Sequence, residues 1–237
     1  MTLKQVALGS QPSLCILIPA FNESIRLPKT LRALYAAIET GAFDPLEVVQ
    51  VLVVDDGSSD STTHVARAAG VSVLSRPHLG KGAAIRAGIP HCKAEWILIA
   101  DADFTVTWLD AGKLAQSCLS HGIPLGIASR GADHSAVFAR KVAGWFFNSL
   151  ARRVLGRDLP DTQCGFKLIR TDLAQAVFPG LRTDGFAWDV ELLLRLKDTP
   201  VVSVPVRFTE PSGSKVRLVR DGLRMVWDVI RLWAQKR

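Results

Sequence analysis

The first half of the chain alternates short, fully apolar runs with amphipathic stretches. In the amphipathic stretches the apolar residues recur at three- and four-residue spacing, as in Leu31, Leu34 and Ile38, which indicates helices that pack by one face. Apolar strands that alternate with helices are typical of a parallel sheet covered on both faces. The predicted strands lie at 14–20, within 47–60, at 71–76 and at 95–101, and a helix is predicted after each of the first three.

The second half of the chain is less regular. Its pattern predicts a strand at 122–130, a helix at 136–155, a strand pair around 201–215 and a terminal amphipathic helix. No Pro/Gly/Ser-rich linker, internal repeat or low-complexity tract divides the chain. We therefore predict a single Rossmann-like α/β domain over residues 1–215, with a mostly parallel sheet flanked by helices, followed by an amphipathic helix over 216–237.

Polar clusters follow the predicted strands of the first half, in the stretches PAFNE, DDGSSD, LGKG and DAD. Ligands of such sheets bind beyond the carboxyl ends of the strands, so we expect a site there. Asp101 and Asp103 stand one residue apart after the fourth strand, and on an extended chain they would project to the same face. Two carboxylates that close repel each other unless a cation or hydrogen-bond donors hold them. They predict either a metal site or a solvated turn.

The composition of the 237-residue chain narrows the class of protein. With 48% hydrophobic and 22% charged residues it is typical of a globular protein, and its net charge of +7 indicates an anionic partner. The cations lie near the acidic pair rather than in a stripe interleaved with aromatic residues, which argues against nucleic acid. The four cysteines are far apart, so we expect reduced, buried thiols. No apolar run reaches the ~20 residues that span a bilayer, and the start of the chain lacks the apolar core of a secretion signal.

Several familiar nucleotide-binding and hydrolase motifs are missing. The stretch LGKGAA lacks the upstream glycine and the following Ser/Thr of a phosphate loop. No GxGxxG follows the first strand, and no GxSxG is present. The remaining possibility is a site in which acidic loops and a divalent metal hold a nucleotide. Mg²⁺ and Mn²⁺ prefer carboxylate and phosphate oxygens, so Asp101 and Asp103 are candidate ligands. We expect Lys81 and Arg86 near the same phosphates.

Seven stretches, taken in their order along the chain, resemble glycosyltransferase family 2. The first four are shared across that family. The last three are narrower and resemble members that glycosylate a polyprenyl phosphate, namely dolichyl-phosphate β-glucosyltransferases and, close to them, dolichyl-phosphate mannose synthases. The stretches are ILIPAFNESIRLPKTL, VLVVDDGSSDSTTHV, LGKGAAIRAGI, ILIADADFTV, DTQCGFKLIR, FAWDVELLLRL and PVRFTEPSGSKV, and together they span residues 14–217.

The resemblance implies a GT-A fold and an inverting, metal-dependent transfer from a nucleotide sugar to a lipid phosphate. It implies Asp103, Asp189 and Arg130 as catalytic residues, with Asp101 and Asp103 holding Mg²⁺ or Mn²⁺. Thr105 stands where the mannose synthases place a Gln beside the metal. The donor nucleotide is expected to contact Pro19, Ala20, Glu23, Asp55, Asp56, Lys81 and Asp101, and the acceptor phosphate Arg130, Arg140 and Lys215.

A phosphate acceptor changes what the site must do. A sugar hydroxyl needs a general base, whereas a phosphate monoester has a second pKa near ~6 and attacks as an anion. Cations such as Arg130, Arg140 and Lys141 would then relieve the repulsion between the acceptor and the diphosphate. Asp189 and Glu191 are accordingly expected to position the sugar or to orient basic residues. The alternative is that they are only favourable acidic residues at a helix N-terminus.

The first hypothesis is a transfer of glucose from UDP-glucose to a polyprenyl phosphate. Three alternatives stay open from the residues. The donor is GDP-mannose instead; or the acceptor is a carbohydrate hydroxyl, with Asp189 or Asp161 as the base; or the protein is a non-catalytic regulator that binds a nucleotide sugar.

The C-terminal stretch has the composition of a helix that lies on anionic lipid. Residues 207–237 contain eight Lys/Arg and three Asp/Glu. On a helical wheel the basic residues lie opposite an apolar side that includes Trp227, Ile230 and Trp233. Packing of this side on the protein's own core is the alternative. We expect a protein bound peripherally to the cytoplasmic face of a membrane.

Overall fold

The structure of the protein, a computed structural model, describes residues 11–103, 107–130, 161–162, 164–207 and 227–232, and of Arg130 the backbone alone. It contains seven strands in one sheet: β1 (Ser13–Ala20), β2 (Glu47–Asp55), β3 (Ser72–Ser75), β4 (Trp96–Ile99), β5 (Leu125–Arg130), β6 (Lys167–Arg170) and β7 (Val202–Val206). Their order across the sheet is β3-β2-β1-β4-β6-β5-β7.

The sheet is parallel except at β6, which is antiparallel to both of its neighbours. Ile99 of β4 pairs with Lys167 of β6, and Lys167 pairs in turn with Ile127 of β5. Since β4 and β5 are both antiparallel to β6, they run in the same direction. All the strands except β6 therefore end at one edge of the sheet, called here the carboxyl edge and marked by Ala20, Asp55, Ala100 and Arg130.

Helices cover both faces of this sheet. They are α1 (Leu27–Glu39), α2 (Thr62–Ala68), α3 (Lys81–Gly88), α4 (Ala111–His121), α5 (Thr171–Val177) and α6 (Trp188–Arg195), with short 3₁₀ turns at Ile89–His91, Trp108–Asp110 and Phe178–Gly180. Successive residues of a strand face opposite ways. Ile16 and Ile18 of β1 join one buried cluster with α1 and α4, whereas Cys15 and Leu17 join a second cluster with α3, α5 and α6. The predicted mixed α/β fold with a mostly parallel sheet is confirmed.

Parts of the predicted architecture lie outside the described residues. These are the helix predicted at 136–155, the end of the strand pair predicted around 201–215, and most of the terminal helix 216–237. Within that last stretch, residues 227–232 are helical. Over the ranges that the structure describes, no helix combines the length and the apolar character needed to cross a membrane. The four cysteines are buried and carry free thiols.

Candidate active site at the carboxyl edge

The polar clusters that follow β1, β2 and β4 meet at the carboxyl edge, as predicted. Ala20 pairs with Asp55 in the register of β1 and β2, and the Asp56 amide donates to the Ala20 carbonyl oxygen at 2.9 Å. On the other side of β1, the Ala100 amide donates to the Leu17 carbonyl oxygen at 3.0 Å. These bonds extend the sheet to the start of each loop, so the loop residues have fixed positions.

The loops that follow β1 and β2 are bonded to each other. Oδ1 of Asn22 accepts a hydrogen bond from the Ser59 amide at 2.8 Å, and the Glu23 amide donates to Oγ1 of Thr62 at 2.7 Å. Asn22 has a φ of +55°, which Asn tolerates better than most residues. The two loops thus form one wall of the site. Three buried residues that were predicted to contact the nucleotide lie where this wall meets the sheet: Pro19, Ala20 and Asp55.

Asp56 serves the loop that leads into α3. Its carboxylate accepts hydrogen bonds from the amides of Leu79 at 3.1 Å and Gly80 at 2.8 Å, and it contacts Nδ1 of His78 at 2.7 Å. The His78 ring stacks on Phe21, with ring centroids 4.0 Å apart, and both rings are partly exposed. Asp56 is therefore engaged by its own chain, and its contact with a nucleotide stays a prediction. The stacked pair adds an aromatic surface to the wall.

The two carboxylates that follow β4 lie in a turn, so the prediction that an extended strand brings them to one face is wrong. β4 ends at Ile99, and the turn includes Ala102 and Asp103. Oγ1 of Thr30 on α1 donates to the Ala102 carbonyl oxygen at 2.6 Å and holds this turn. The carboxylates nevertheless interact: burial first and then the charge of Asp101 raise the pKa of Asp103.

Lys81, the first residue of α3, forms an ion pair with Asp101. Burial lowers the pKa of Lys81, but the charge of Asp101 and its hydrogen bond outweigh this and raise that pKa, so the amine stays protonated. The pKa of Asp103 is raised, first by burial and then by Asp101, while Lys81 and Arg26 act in the opposite direction. Oδ1 of Asp103 is buried and has no hydrogen-bond partner among the described residues.

Glu23 points its carboxylate at a neighbouring arginine. Oε2 of Glu23 lies 2.6 Å from Nε of Arg26, and Oε1 lies 2.5 Å from Nη2. Burial lowers the pKa of Arg26, but the bonds to Glu23 and the charges of Glu23 and Asp103 raise it overall. In the sequence, Arg26 has no signal beyond its three-residue spacing from Glu23. The pair is neutral overall, and its two charges act on Asp103 in opposite directions: Arg26 lowers the pKa of Asp103 and Glu23 raises it.

The residues around Asp103 fit a hard divalent cation that is completed by phosphate oxygens. Within the described ranges, no group of three or more His, Cys, Asp or Glu side chains is arranged to hold a metal ion by itself. Mg²⁺ often binds through one or two carboxylates plus substrate phosphates, and Asp101 and Asp103 provide two carboxylates. A cation there would satisfy the buried Oδ1 of Asp103 and offset the repulsion that raises its pKa.

Gly165, in the stretch DTQCGFKL, lies directly against Asp101. A Cβ atom added at this glycine would overlap the Asp101 carboxylate. The side chain of any other residue would therefore have to push Asp101 away. The stretch that marks the narrower resemblance thus contacts the acidic pair.

Asp189, near the N-terminus of α6, is buried opposite a lysine. Its Oδ2 lies 3.7 Å from Nζ of Lys167, and its Oδ1 accepts a hydrogen bond from the Val190 amide at 2.8 Å. Burial raises the pKa of Asp189, while the charges of Lys167 and Lys81 act in the opposite direction. Lys167 was not among the predicted site residues. In the sequence, Lys167 could be recognised only as a charged residue at the start of the apolar stretch KLI.

Glu191 is bound to a different part of the chain. Its carboxylate accepts hydrogen bonds from the amides of Arg182, at 2.9 and 3.0 Å, and of Thr183 at 2.7 Å, and it pairs with Arg195 at 3.1 Å. These groups hold the segment between the Phe178–Gly180 turn and α6. Of the expected roles, the orientation of basic residues fits the contacts of Glu191, and the role of Asp189 toward the sugar stays a prediction.

Glu191→Gln is expected to reduce stability at neutral pH, by about 1–2 kcal/mol, because several donors lose a charged acceptor. Burial raises the pKa of Glu191, but the bonds from Thr183, Arg182 and Arg195 outweigh it and lower that pKa below its ordinary 4.5. The contribution is therefore present above 4.5 and is lost as pH falls through the lowered pKa. Urea unfolding at neutral and acidic pH measures it, with the exposed Glu39→Gln as control. A difference between wild type and Glu191→Gln that does not shrink in acid would contradict the assignment.

Arg86 does not have the role expected for it. Its guanidinium donates to the Leu181 carbonyl oxygen at 3.0 Å and pairs with the Asp184 carboxylate at 2.5 Å. The expectation that it adds charge to the donor phosphates is therefore wrong for this structure. Arg86 instead fastens α3, and with it Lys81, to the segment that Glu191 holds.

The predicted acceptor side is only partly described. The backbone of Arg130 ends β5 and pairs with Val206 of β7, so Arg130 lies at the same edge as Asp101. Thr105, Arg140, Lys141 and Lys215 lie outside the described residues. The binding of the acceptor phosphate by Arg130, Arg140 and Lys215 stays a prediction.

Comparison with known proteins gives a consistent result. The model of the family "Glycosyl transferase family 2" matches residues 15–178. The dolichyl-phosphate beta-glucosyltransferase of Drosophila melanogaster is 33% identical over 261 residues, covering 99% of this chain and 80% of the relative. The human enzyme of the same name is 30% identical over 251 residues, covering 97% and 77%.

Among solved structures, glucosyl-3-phosphoglycerate synthase from Mycobacterium tuberculosis has a similar fold. Its complex with Mn²⁺, uridine-diphosphate and glucosyl-3-phosphoglycerate is 18% identical to this chain, with a TM-score of 0.72, and the match covers 94% of this chain and 80% of the synthase. At this identity the likeness shows the fold alone. It agrees with the GT-A architecture that the sequence predicts.

Proposed function

Since this chain belongs to glycosyltransferase family 2 and is a glycosyltransferase, we propose that it transfers glucose from UDP-glucose to a polyprenyl phosphate, with Mg²⁺ or Mn²⁺ and with inversion at the sugar. The relatives named for this acceptor class align over almost the whole chain. The observation that carries the metal and the donor is the Asp101/Asp103 pair. One of its oxygens is buried without a donor in the described chain, and a protonated lysine stands beside it.

The donor lies on the wall formed by the loops after β1 and β2. Pro19, Ala20 and Asp55 contact its base and ribose. The exposed Phe21–His78 stack offers a planar surface of the kind on which an aromatic base packs. The relatives' names favour glucose over mannose as the sugar, and the described wall residues do not by themselves select the base.

The diphosphate of the donor faces the acidic pair. Asp101 and Asp103 would hold the cation. When bound, the cation would neutralise the charge of the diphosphate as the bond between diphosphate and sugar breaks. Lys81 is tied to Asp101 and protonated, so its ammonium group is available to the same phosphates. Gly165 keeps Asp101 in place from the other side.

The acceptor phosphate attacks the anomeric carbon as an anion. The new bond joins a phosphate oxygen to that carbon, the bond to the diphosphate breaks, and no proton has to be removed. Asp189 is buried and 3.7 Å from the Lys167 ammonium group, which suits a positioning carboxylate better than a base. This observation favours the phosphate acceptor over the alternative of a carbohydrate hydroxyl.

The test is transfer of labelled sugar into an organic phase that contains polyprenyl phosphate, with UDP-glucose and GDP-mannose in separate reactions and Mg²⁺ or Mn²⁺ present. Label from UDP-glucose that requires the metal is the expected result. Label from GDP-mannose alone would replace the donor. No lipid label from either intact donor would overturn the acceptor and return attention to a hydroxyl acceptor with Asp189 or Asp161 as the base.

We also propose peripheral attachment to an anionic membrane surface on the cytoplasmic side, and the described part of the C-terminal helix supports the attachment. Val229 is fully buried and Leu232 packs on the core, so one side of helix 227–232 is bound to the protein. Trp227 and Ile230 are 67% and 45% exposed. The helix thus combines the two alternatives: one apolar side packs on the protein's own core, and another is exposed and available to contact lipid.

Trp227→Ala/Ile230→Ala is expected to lower binding to vesicles of phosphatidylcholine and phosphatidylglycerol about a hundredfold, because each large side chain contributes ~1.5–3 kcal/mol when buried and each 1.36 kcal/mol is a factor of ten. Sedimentation with the vesicles measures the bound fraction. Val49→Ala is the control, because Val49 is also exposed but lies in β2 away from the carboxyl edge. Equal binding of the double variant and the wild type would contradict lipid contact through this helix.

A further inference from the structure

Lys167 is a lysine with no exposed surface. It opens β6 and lies between Ile99 of β4 and Ile127 of β5 in the middle of the sheet. Removing an ammonium group from water costs several kcal/mol unless close partners compensate it. The partners that compensate the burial of the Lys167 ammonium group therefore indicate the role of this residue.

The partners of Lys167 are of two kinds. Nζ donates to the carbonyl oxygens of Cys164 at 2.5 Å and Thr162 at 3.3 Å, which belong to the segment just before β6. The same Nζ lies 3.7 Å from Oδ2 of Asp189 and 5.2 Å from the centre of the Trp188 ring, both at the start of α6. One ammonium group thus ties the described residues just before β6, Thr162 and 164–166 (called here the 162–166 segment), to the first turn of α6.

The 162–166 segment contacts the acidic pair directly. Gly165 follows Cys164, whose carbonyl oxygen Lys167 binds, and precedes the start of β6. Its backbone lies so close to the Asp101 carboxylate that an added Cβ would overlap it. A shift of this segment would move the surface on which Asp101 rests. The position of Asp101 therefore depends on the bonds that Lys167 makes.

We propose that Lys167 is a positioning residue of the transfer site, which fixes the 162–166 segment to Asp189 and thereby sets the place of Asp101. The inference rests on the proposed function, because it takes Asp101 as a holder of the cation and diphosphate. Lys167 itself touches neither. Groups that orient ligand-bearing residues typically change metal affinity about 10–100-fold when they are removed.

The experiment is a calorimetric titration of UDP into the full-length protein with Mn²⁺, performed well below the melting temperature of each variant. Lys167→Met is expected to bind Mn²⁺·UDP about tenfold more weakly. Lys167→Gln keeps an N–H donor for the carbonyls without the charge, so a smaller loss is expected, and it replaces Lys167→Met if that variant does not fold. Lys197→Met, the same change at an exposed lysine, is expected to bind like the wild type.

A double-mutant cycle separates positioning from general destabilisation. Gly165→Ala pushes on Asp101 directly. If Lys167 acts through Gly165, removing Lys167 in the Gly165→Ala protein should weaken binding by less than about threefold instead of tenfold. A purely structural lysine would lower the melting temperature and leave the affinity of the folded protein unchanged.

The outcomes are distinct. Affinity of Lys167→Met within about twofold of the wild type, or losses that multiply fully in the double variant, would overturn the role of Lys167 alone. A wild-type protein that binds neither Mn²⁺·UDP nor Mn²⁺·GDP, or an Asp101→Asn protein that binds as well as the wild type, would overturn the proposed function and this inference with it.

Discussion

Asp103→Asn is expected to lower the rate of sugar transfer about 10²–10³-fold, because a cation that stabilises the leaving diphosphate contributes several kcal/mol and each 1.36 kcal/mol is tenfold in rate. The substitution keeps the size of the side chain and removes one of the two carboxylates. The protein should stay folded. Burial and the charge of Asp101 raise the pKa of Asp103, so its ionised form opposes folding in the metal-free protein, and a neutral amide does not.

Two measurements on the same protein separate loss of function from loss of structure. The first is transfer of labelled glucose to polyprenyl phosphate over a range of Mn²⁺ concentrations. The second is the melting temperature with and without Mn²⁺ and UDP, because a ligand that binds the folded state raises it. Asp103→Asn should melt no lower than the wild type and lose the rise with Mn²⁺. Asp198→Asn, at an 87% exposed side chain, is the control. Full transfer activity in Asp103→Asn would exclude Asp103 as a metal ligand.

Asp189→Asn is expected to lower the free energy of unfolding by about 1–3 kcal/mol, because it leaves the buried Lys167 ammonium group without its carboxylate partner. The loss is limited because burial raises the pKa of Asp189, so its ionised form is itself unfavourable in the folded protein. Lys167 keeps only carbonyl partners in the variant. A buried ammonium group without a counter-charge destabilises the folded protein.

Urea unfolding of three variants tests this pair. Asp172→Asn removes one charge from the exposed pair with Arg170, at 2.6 Å, and should cost at most about 1 kcal/mol. The double variant Lys167→Met/Asp189→Asn removes both buried charges and should regain most of the stability lost in Asp189→Asn. If Asp189→Asn unfolds at the same urea concentration as the wild type, the pair does not carry opposite charges in the folded protein.

The strands of the first half were predictable because their pattern is unambiguous. The runs 14–20, 71–76 and 95–101 correspond to β1, β3 and β4 within one or two residues at most ends. The runs for β1 and β4 are continuously apolar over 14–20 and 96–100, as a strand covered on both faces requires, whereas 71–76 includes Ser72 and Ser75 and forms the edge strand β3. The site at the carboxyl edge followed from that topology, since parallel strands bring their ends together.

The elements that the pattern did not predict are those whose state depends on their neighbours. β6 has four residues and includes Lys167 and Arg170, so it has no apolar run of its own. It is a strand because β4 and β5 pair with it on both sides. α4 buries Ala111, Leu114, Ala115 and Cys118 at regular helical spacing, but three of these four side chains are small, so the helix has few large apolar residues to mark it in the sequence.

Within the site, the residues that bear the chemistry were visible in the sequence, but their partners were not. Asp101 and Asp103 stood out by their place after an apolar strand, yet their geometry is a turn held from α1. Arg86 had the right charge and binds Asp184 instead of a phosphate. Asp189 was expected to act on the sugar or on basic residues, and the basic residue proves to be Lys167, in a strand that had not been predicted.

The alternation of apolar strands and amphipathic helices was therefore sufficient to predict the fold, and with it the edge at which acidic and basic residues collect. It was not sufficient to pair those residues. The interaction of two charges depends on the distance between them and on how much water lies around them. Lys81 and Asp101, or Lys167 and Asp189, are some twenty residues apart along the chain, and only packing brings each pair together and buries it.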